Sequence, residues 1–437
     1  MTTIHIVGVT QASDLGGDAL HAVQQAYVVI GSQRQLDIVK PHLTTNTETK
    51  LQHLPKLEEL KVLINRLFEE LSNNEPPLNN KKNRSKPQTI VVLASGDPLY
   101  YGIGRWFSKH FEQDCLCFHP AISSIQMACH RLAISLQDVT VLSLHGRPLA
   151  RVRTQLKNAT TLLILTDKLS HPQALARECL NTGFEESTIT VLENLGYPHE
   201  QKRTFTVTEL SDNAKAKKHE FDPLHVSMLE VKGSGGVLPE FPGIPDDSYI
   251  TGAEAGKGMI TKREVRLCIL SLLQPSSQDV IWDIGAGCGG VAVELALWGE
   301  KASVYAVECH PERLQHLAAN QAHFGVVNNL HIIDGHAPEC LTDLPLPNKV
   351  FIGGSGGNMN RLLETIWPLL PAGGLLVVSA VVERTKQILN DFAKNGLSQS
   401  IAEIETTEVS IKRGQMNESG LDYTAKFPVE VFKFKKR

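Results

Sequence analysis

The sequence predicts an α/β protein of two domains, and three observations carry that expectation. Strand-like runs rich in β-branched residues alternate with stretches of helical apolar spacing along most of the chain. Residues 232–257 break the pattern with six glycines and three prolines, Pro239, Pro242 and Pro245, which would interrupt any helix or central strand. Beyond that break, residues 280–284 form an apolar run that passes through Asp283 into the closely spaced Gly285, Gly287, Gly289 and Gly290, then into Val291-Ala292-Val293-Glu294-Leu295, which reads as a helix. Strand, tight turn and helix in that order make the ligand-cradling corner of a doubly wound sheet. The expected organisation is a first domain over residues 1–232, a linker over 233–257 and a second domain over 258–437.

The other elements follow from the same patterns. In the first domain, strands are expected at residues 4–7, 28–30, 89–94, 139–144, 161–165, 188–192 and 224–231, with helices at 18–27 and 57–71. In the second, strands are expected at 280–284, 303–308, 330–334, 350–352 and 374–382. A last strand, 428–434, is expected to run antiparallel at the sheet edge, its trailing basic residues a solvated end. Residues 73–88 have almost no apolar content and read as a surface insertion.

Bulk composition excludes several classes. The 437 residues suit two or three domains, and 42% apolar content is ample for packed cores. A net charge of −4 gives no general attraction to nucleic acid or to an anionic membrane. The first eight residues enter a strand at once with no basic and apolar leader, so a soluble, cytoplasmic protein is expected. The eight cysteines form no CxxC. Cys115 and Cys117 with His119 and His130 can be drawn as a metal site, but residues 111–120 read better as a strand with both thiols on one face, and no metal is expected.

The glycine turn alone leaves its ligand open, since its spacing suits a dinucleotide as well as S-adenosylmethionine. Three acids decide between them. Asp283, two residues before the first glycine, can face the cationic amino-acid end of S-adenosylmethionine but would repel a pyrophosphate. Glu308 closes the next strand, roughly 20 residues on, where an acid bonds ribose hydroxyls. Asp334 closes a third strand and suits the exocyclic amine of adenine; Ala337 follows it, and Gly353 follows a fourth strand. Solubilising acids at strand ends are the bland alternative, which three successive strand ends disfavour. The expectation is a Rossmann-like S-adenosylmethionine methyltransferase domain.

The first domain is less telling by itself. Residues 93–104 contain Ser95-Gly96-Asp97-Pro98, which reads equally well as a ligand loop or as Asp97 capping a helix with Pro98 at its first position. Ser123 and Ser124 have the look of a helix N-cap. Arg147, in the loop after residues 139–144, can hold a substrate carboxylate or be simply solvated.

Residues 95–104, Ser123-Ser124, residues 135–148 and Glu193-Asn194-Leu195-Gly196 together resemble the tetrapyrrole methylases of corrin biosynthesis. Residues 258–266, 282–287 and 350–354 resemble their decarboxylating partner. In this order, over nearly the whole chain, they resemble the fused precorrin-6Y methyltransferase family of cobalamin synthesis. The resemblance implies a tetrapyrrole-methylase domain that methylates carbon 5, joined to a domain that methylates carbon 15 and decarboxylates the ring C acetate. Each domain would use S-adenosylmethionine, one bound near Gly96, Asp97, Pro98, Ser123 and Ser124, the other at Asp283, Gly285, Gly287, Glu308, Asp334, Ala337 and Gly353. A precorrin-6 macrocycle rich in carboxylates would be the partner, with Lys262, Arg263, Arg266 and Arg147 as candidate anchors. No nucleic acid or membrane is implied, and methylases of this kind often form homo-oligomers. The family pattern places a second glycine soon after the first strand, whereas here Gly8 is followed by Val9-Thr10-Gln11. Two other readings compete: an RNA methyltransferase, against which the near-neutral charge argues, and an idle tetrapyrrole-binding first domain fused to one active methyltransferase.

Overall fold

The computed structural model describes residues 2–43, 49–73, 89–212, 219–236, 238–239, 241–254, 258–395, 400–418 and 420–437. The insertion expected at residues 73–88 thus lies outside the described residues but for Asn73, as do Val237, Glu240 and residues 255–257 of the expected linker. Two compact units are present. One comprises Met1–His145, Ala159–Ala176 and Glu186–Val231; the other comprises Gly146–Asn158, Arg177–Glu185 and Lys232–Arg437. Among the described residues no helix is long and apolar enough to cross a membrane.

The first unit holds two sheets. β1 (Thr3–Val9), β2 (Ala26–Gly31), β3 (Lys50–His53), β4 (Thr89–Ser95) and β5 (Leu116–His119) are all parallel, in the order β3-β2-β4-β1-β5. Both faces are covered, which explains the unbroken apolar run of β4. Ile4, Ile6, Ile90 and Val92 pack on Leu60, Ile64 and Leu67 of the helix Leu57–Asn73. Val7, Val9, Val91 and Leu93 meet Ala22 and Val23 of the helix Gly17–Gln24 on the other side. That helix stops at Gln24 rather than continuing to residue 27, because Ala26 and Tyr27 already belong to β2.

The second sheet comprises β6 (Thr140–Ser143), β7 (Thr161–Leu165), β8 (Thr188–Glu193), β9 (Gln201–Thr206) and β10 (His225–Glu230), ordered β6-β7-β10-β8-β9. Only β6 and β7 pair parallel. The helix Ser124–Leu132 lays Ile125, Met127 and Cys129 on Leu163, Leu192 and Met228 of this sheet.

The second unit is built on β11 (Val280–Ile284), β12 (Ser303–Glu308), β13 (Leu330–Asp334), β14 (Lys349–Ile352), β15 (Leu375–Ala380), β16 (Ile401–Val409), the hairpin β17 (Lys412–Asn417) and β18 (Gly420–Ala425), and β19 (Val429–Lys436). The main sheet runs β13-β12-β11-β14-β15-β19-β16, parallel from β13 to β15. β19 is antiparallel as expected but is not an edge strand, since β16 pairs with its far side. Its basic end is engaged as well. The Lys433 ammonium lies 2.9 and 3.1 Å from the Glu403 and Glu405 carboxylates, and Lys436 donates to the carbonyls of Trp367, Pro368 and Leu370.

Candidate active site

The chain order of the second unit's main sheet starts at β11, runs outward through β12 and β13, then returns to the other side of β11 as β14. Such a reversal leaves a crevice beyond the carboxyl ends of β11 and β14, the usual ligand position in an open α/β sheet. Asp283, Glu308, Asp334 and Gly353 all stand at that edge, on or just past β11, β12, β13 and β14. Glu308 and Asp334 are direct partners across the β12–β13 pair.

Gly285 shows why the turn after β11 requires glycine. Its φ is +74°, and a Cβ there would lie 2.6 to 2.8 Å from the backbone of Gly354. The turn is fastened by the Gly285 and Ala286 amides, which donate to the Val307 carbonyl at 2.9 and 3.0 Å. On the other flank the Gly353 amide donates to the Ile284 carbonyl at 2.9 Å. Glu308, 5% exposed, is held by three backbone donors: Gly287 at 2.8 Å on one oxygen, Cys309 and His310 at 2.9 Å each on the other. Asp334 is exposed, and Ala337 is half-buried against the core.

Asp283 is the anomaly of the site. It is 1% exposed, and neither carboxylate oxygen has a hydrogen-bond partner. Burial pushes its carboxyl up to about 7, the Ala292 amide offsets part of this without a well-formed hydrogen bond, and the Glu308 charge adds to the rise. A bare buried carboxylate costs free energy that a cation or donor at its oxygens would return.

The basic candidates separate. Residues 258–262 cross the glycine turn: the Met259 carbonyl lies 3.1 Å from the place of a Gly287 Cβ, and Ile260 lies 2.8 Å from that of Gly290. Lys262 follows as the N-cap of the helix Arg263–Leu273, half-buried. Burial lowers its ammonium pKa, and the positive charges of Arg413 and Lys426 work in the same direction against Asp246. Arg263 is exposed, its guanidinium 3.7 Å from Glu264.

Arg266 is not an anchor for substrate. It is 0% exposed, and its guanidinium is spent on Glu294 at 2.9 Å, Asp246 and the Thr261 carbonyl at 2.7 and 2.5 Å, and the Ile244 carbonyl. The helical spacing held the signal. Arg266, Ile269, Leu270 and Leu273 form one buried stripe, so the arginine falls on an apolar face.

In the first unit three backbones converge at the carboxyl ends of β1 and β4. A Cβ on Gly8 would sit 2.0 Å from the Gly96 carbonyl and 2.8 Å from the Ala121 nitrogen. Gly96, at φ +66°, passes as closely to the Ser123 Cα. Ser123 is buried in a capping box, its hydroxyl accepting from the Gln126 amide at 3.1 Å while Gln126 accepts from the Ser123 amide at 2.9 Å. Ser124 is the first residue of that helix. Asp97 does not cap a helix, and Pro98 does not begin one: the next helix is Gly104–His110, and Asp97 instead accepts from the Leu99 amide at 2.8 Å in a tight turn. Sequence reasoning missed Arg34, whose guanidinium donates to the Ser95 hydroxyl at 3.3 Å and lies over the Tyr197 ring. Arg147 lies half-buried in the loop after β6.

Comparison with known proteins supplies what geometry leaves open. Residues 254–435 match the family described as a precorrin methyltransferase domain, and residues 3–211 match the tetrapyrrole (corrin/porphyrin) methylases. A precorrin-6Y C(5,15)-methyltransferase [decarboxylating] from a Sinorhizobium species is 32% identical over 391 residues, 89% of this chain and 86% of its own. The chain belongs to the precorrin-6Y C(5,15)-methyltransferase family. A relative of the same name from Mycobacterium tuberculosis is 32% identical over 301 residues, 69% of this chain and 72% of its own. A shorter relative from Methanothermobacter thermautotrophicus, named probable cobalt-precorrin-6B C(15)-methyltransferase (decarboxylating), is 33% identical over 192 residues, 43% of this chain and 94% of its own.

Membership implies use of S-adenosylmethionine, and the second unit's residues fit that cofactor. Asp283 offers two buried oxygens lacking partners, and the backbone around Gly285 fills the space a side chain would need.

Proposed function

We propose that this chain methylates carbons 5 and 15 of a precorrin-6 macrocycle with two molecules of S-adenosylmethionine and removes the ring C acetate carboxyl as carbon dioxide. The match to a decarboxylating C(5,15)-methyltransferase along 89% of the chain carries this reading. The region of residues 1–232 takes carbon 5, and that of residues 258–437 takes carbon 15 together with decarboxylation. In support, a relative whose name gives only the carbon-15 and decarboxylating activities matches over 192 residues.

When bound, S-adenosylmethionine supplies an electrophilic methyl group on a positively charged sulfur. Glu308, fixed by the Gly287, Cys309 and His310 amides, keeps lone pairs directed for a ribose diol without reorganising. Asp283 places negative charge beneath the turn, where a cationic amino group is favoured. Asp334, Ala337 and Gly353 border the same crevice and complete the wall for the adenine. In the first unit, Gly96, Asp97, Pro98, Ser123 and Ser124 form the corresponding wall, with backbone rather than charge as its main feature. Lys262 and Arg263 hold macrocycle carboxylates beside the glycine turn, and Arg147, in the loop after β6, is a further carboxylate anchor. The macrocycle carbons are enamine-like and need little acid–base help. Holding carbon and methyl in line, worth up to roughly 7–11 kcal/mol, then supplies much of the rate. The conjugated macrocycle is itself the electron sink for loss of carbon dioxide.

Mass spectrometry of the product from purified protein, the precorrin-6 macrocycle and S-adenosylmethionine tests the proposal. Gain of two methyl groups and loss of one carbon dioxide is the expected result. One methyl group with loss of carbon dioxide would mean that the first domain only presents substrate, and no change in mass would defeat the whole assignment.

Glu308→Gln keeps the shape but sets an amide among three N–H donors. It should weaken binding of S-adenosylhomocysteine to the second site by about 1.5–3 kcal/mol, roughly ten- to a hundredfold. Titration calorimetry should show one site weakened and the other unchanged, and equal weakening of both would argue against separate sites.

A further inference from the structure

Methyl transfer leaves one cluster of the first unit unused. His5 on β1 and Cys117 on β5 are direct partners across the parallel pair, and His119 lies two residues further along β5. All three side chains therefore leave the same face of the sheet. The His5 Nδ1 and His119 Nε2 are 2.9 Å apart, and Cys117 Sγ is 3.5 Å from the same Nε2. Among the described residues, all three candidate ligand atoms lie within 4.8 Å of one another. The set that sequence spacing suggests, Cys115, Cys117, His119 and His130, is a different one, because β5 begins at Leu116, leaving Cys115 in the preceding turn, and His5 is 114 residues from His119.

The pair of rings meets nearly in plane, 13° apart with centroids 5.1 Å apart, so one nitrogen donates a proton to the other. Burial lowers both pKa values; the His119 and His21 charges lower that of His5 further, while Asp18 pulls His119 back up. Asp18 and His21 both belong to the helix Gly17–Gln24, which covers this face. Two partly buried imidazoles beside a thiol make a donor set that suits zinc and not magnesium or calcium. Tetrahedral zinc, with bonds near 2.05 Å to nitrogen and 2.3 Å to sulfur, needs roughly 3.3 Å between nitrogens and about 3.6 Å between nitrogen and sulfur. The sulfur already lies at that distance from the His119 nitrogen, and the two ring nitrogens need to part by about 0.4 Å while the rings turn so that both lone pairs meet at the ion.

We propose that His5, Cys117 and His119 bind a zinc ion, with water in the fourth position. On binding, the Cys117 thiol gives its proton to solvent, and the proton shared by the two rings moves to the far nitrogen of whichever ring keeps it. Nothing is oxidised or reduced. The ion staples the four-residue edge strand β5 to β1. His119 precedes the segment that packs on Gly8, where a Cβ would meet the His119 carbonyl at 3.0 Å and the Ala121 nitrogen at 2.8 Å. The role is to hold the Ser123 cap against Gly8 and Gly96.

The full chain, purified without chelator and dialysed against metal-free buffer, should retain about one zinc ion by elemental analysis. Replacing zinc with cobalt(II) should give a thiolate-to-cobalt charge-transfer band that disappears in Cys117→Ser and persists in Cys115→Ser. Cys117→Ser and His119→Asn should each weaken zinc binding about a hundredfold or more, one of four ligands being lost. His5→Gln, checked for folding by circular dichroism, should do the same. A wild-type chain that neither retains zinc nor shows the cobalt band overturns the proposal and leaves a hydrogen-bonded histidine pair. Retention of zinc by the Cys117→Ser/His119→Asn double variant also overturns it, by placing the ion elsewhere.

Discussion

Replacing Arg266 with methionine should destabilise the second unit by about 3–5 kcal/mol, because it leaves the buried Glu294 carboxylate without a counter-ion and Asp246 with Arg413 alone. The guanidinium lies between Asp246, 5% exposed, and Glu294, 0% exposed, with the Tyr249 ring 4.8 Å away. Burial alone would raise the pKa of Asp246, but its hydrogen bond and charge pairing with Arg266, followed by those with Arg413, hold it below the ordinary 3.8. A depressed folded-state value adds stability that is present above pH 4 and lost as pH falls through the folded value. In the variant the largest opposing influence is gone, so the gap between wild type and variant should be widest near pH 7 and close toward pH 4. Urea unfolding followed by tryptophan fluorescence suits the measurement, since Trp282, Trp298 and Trp367 all lie in this unit. Arg266→Lys should recover only part of the loss, as one ammonium cannot replace a fork that reaches Glu294, Asp246 and two carbonyls. Adding Asp246→Asn and Glu294→Gln to Arg266→Met should recover more, because no uncompensated charge remains. Equal loss at pH 4 and pH 7 would show that packing rather than charge is what Arg266 contributes.

The same residue shows where sequence reading stops. Helical spacing puts position 266 on the buried stripe, but a positive charge so soon after Lys262 and Arg263 reads with them as a substrate anchor. Its partners sit 20 and 28 residues away, and no local pattern connects them. The parallel strands were legible because burial on both faces leaves a continuous apolar run ending at a polar edge. β7, β12 and β13 begin and end at the expected residues for that reason. β16, β17 and β18 went unseen, since most of their side chains are exposed and no run of buried apolar residues marks them. β3 and β9, both sheet-edge strands, escaped in the same way. Within the candidate site, the acids at strand ends could be read because each follows an apolar run. The turn around Asp97 could not, since a capping residue and a turn residue have the same chemistry.

Asp283→Asn should stabilise the folded chain at neutral pH while weakening its hold on S-adenosylmethionine. The carboxyl titrates at about 7 in the fold against an ordinary 3.8, and it is 1% exposed with both oxygens unpartnered. Between those two values the unfolded chain has released the proton and the folded chain still holds it, so stability falls steadily as pH rises from about 4 to 7 and is level above. At pH 7 to 8 the accumulated cost is up to about 4 kcal/mol, at 1.36 kcal/mol per unit of pH. An asparagine has the same shape and no charge to bury, although its amide also lacks partners, so a gain of roughly 2–3 kcal/mol is expected. The gain should vanish near pH 4, where aspartate is protonated in both states. Cofactor affinity should move the opposite way, by ten- to a hundredfold or about 1.5–3 kcal/mol, since the asparagine removes the negative charge that favours a cationic group at the turn. Binding of S-adenosylhomocysteine by the wild type should also release a proton near pH 7, as its amino group draws Asp283 into the ionised form, and calorimetry in buffers of different ionisation heat measures that directly. The two effects, found together, would mark Asp283 as a charge kept at the expense of stability for the sake of binding. A variant that loses stability at pH 8 and binds as tightly as wild type would place this carboxylate in the packing of the turn and take it out of the cofactor site.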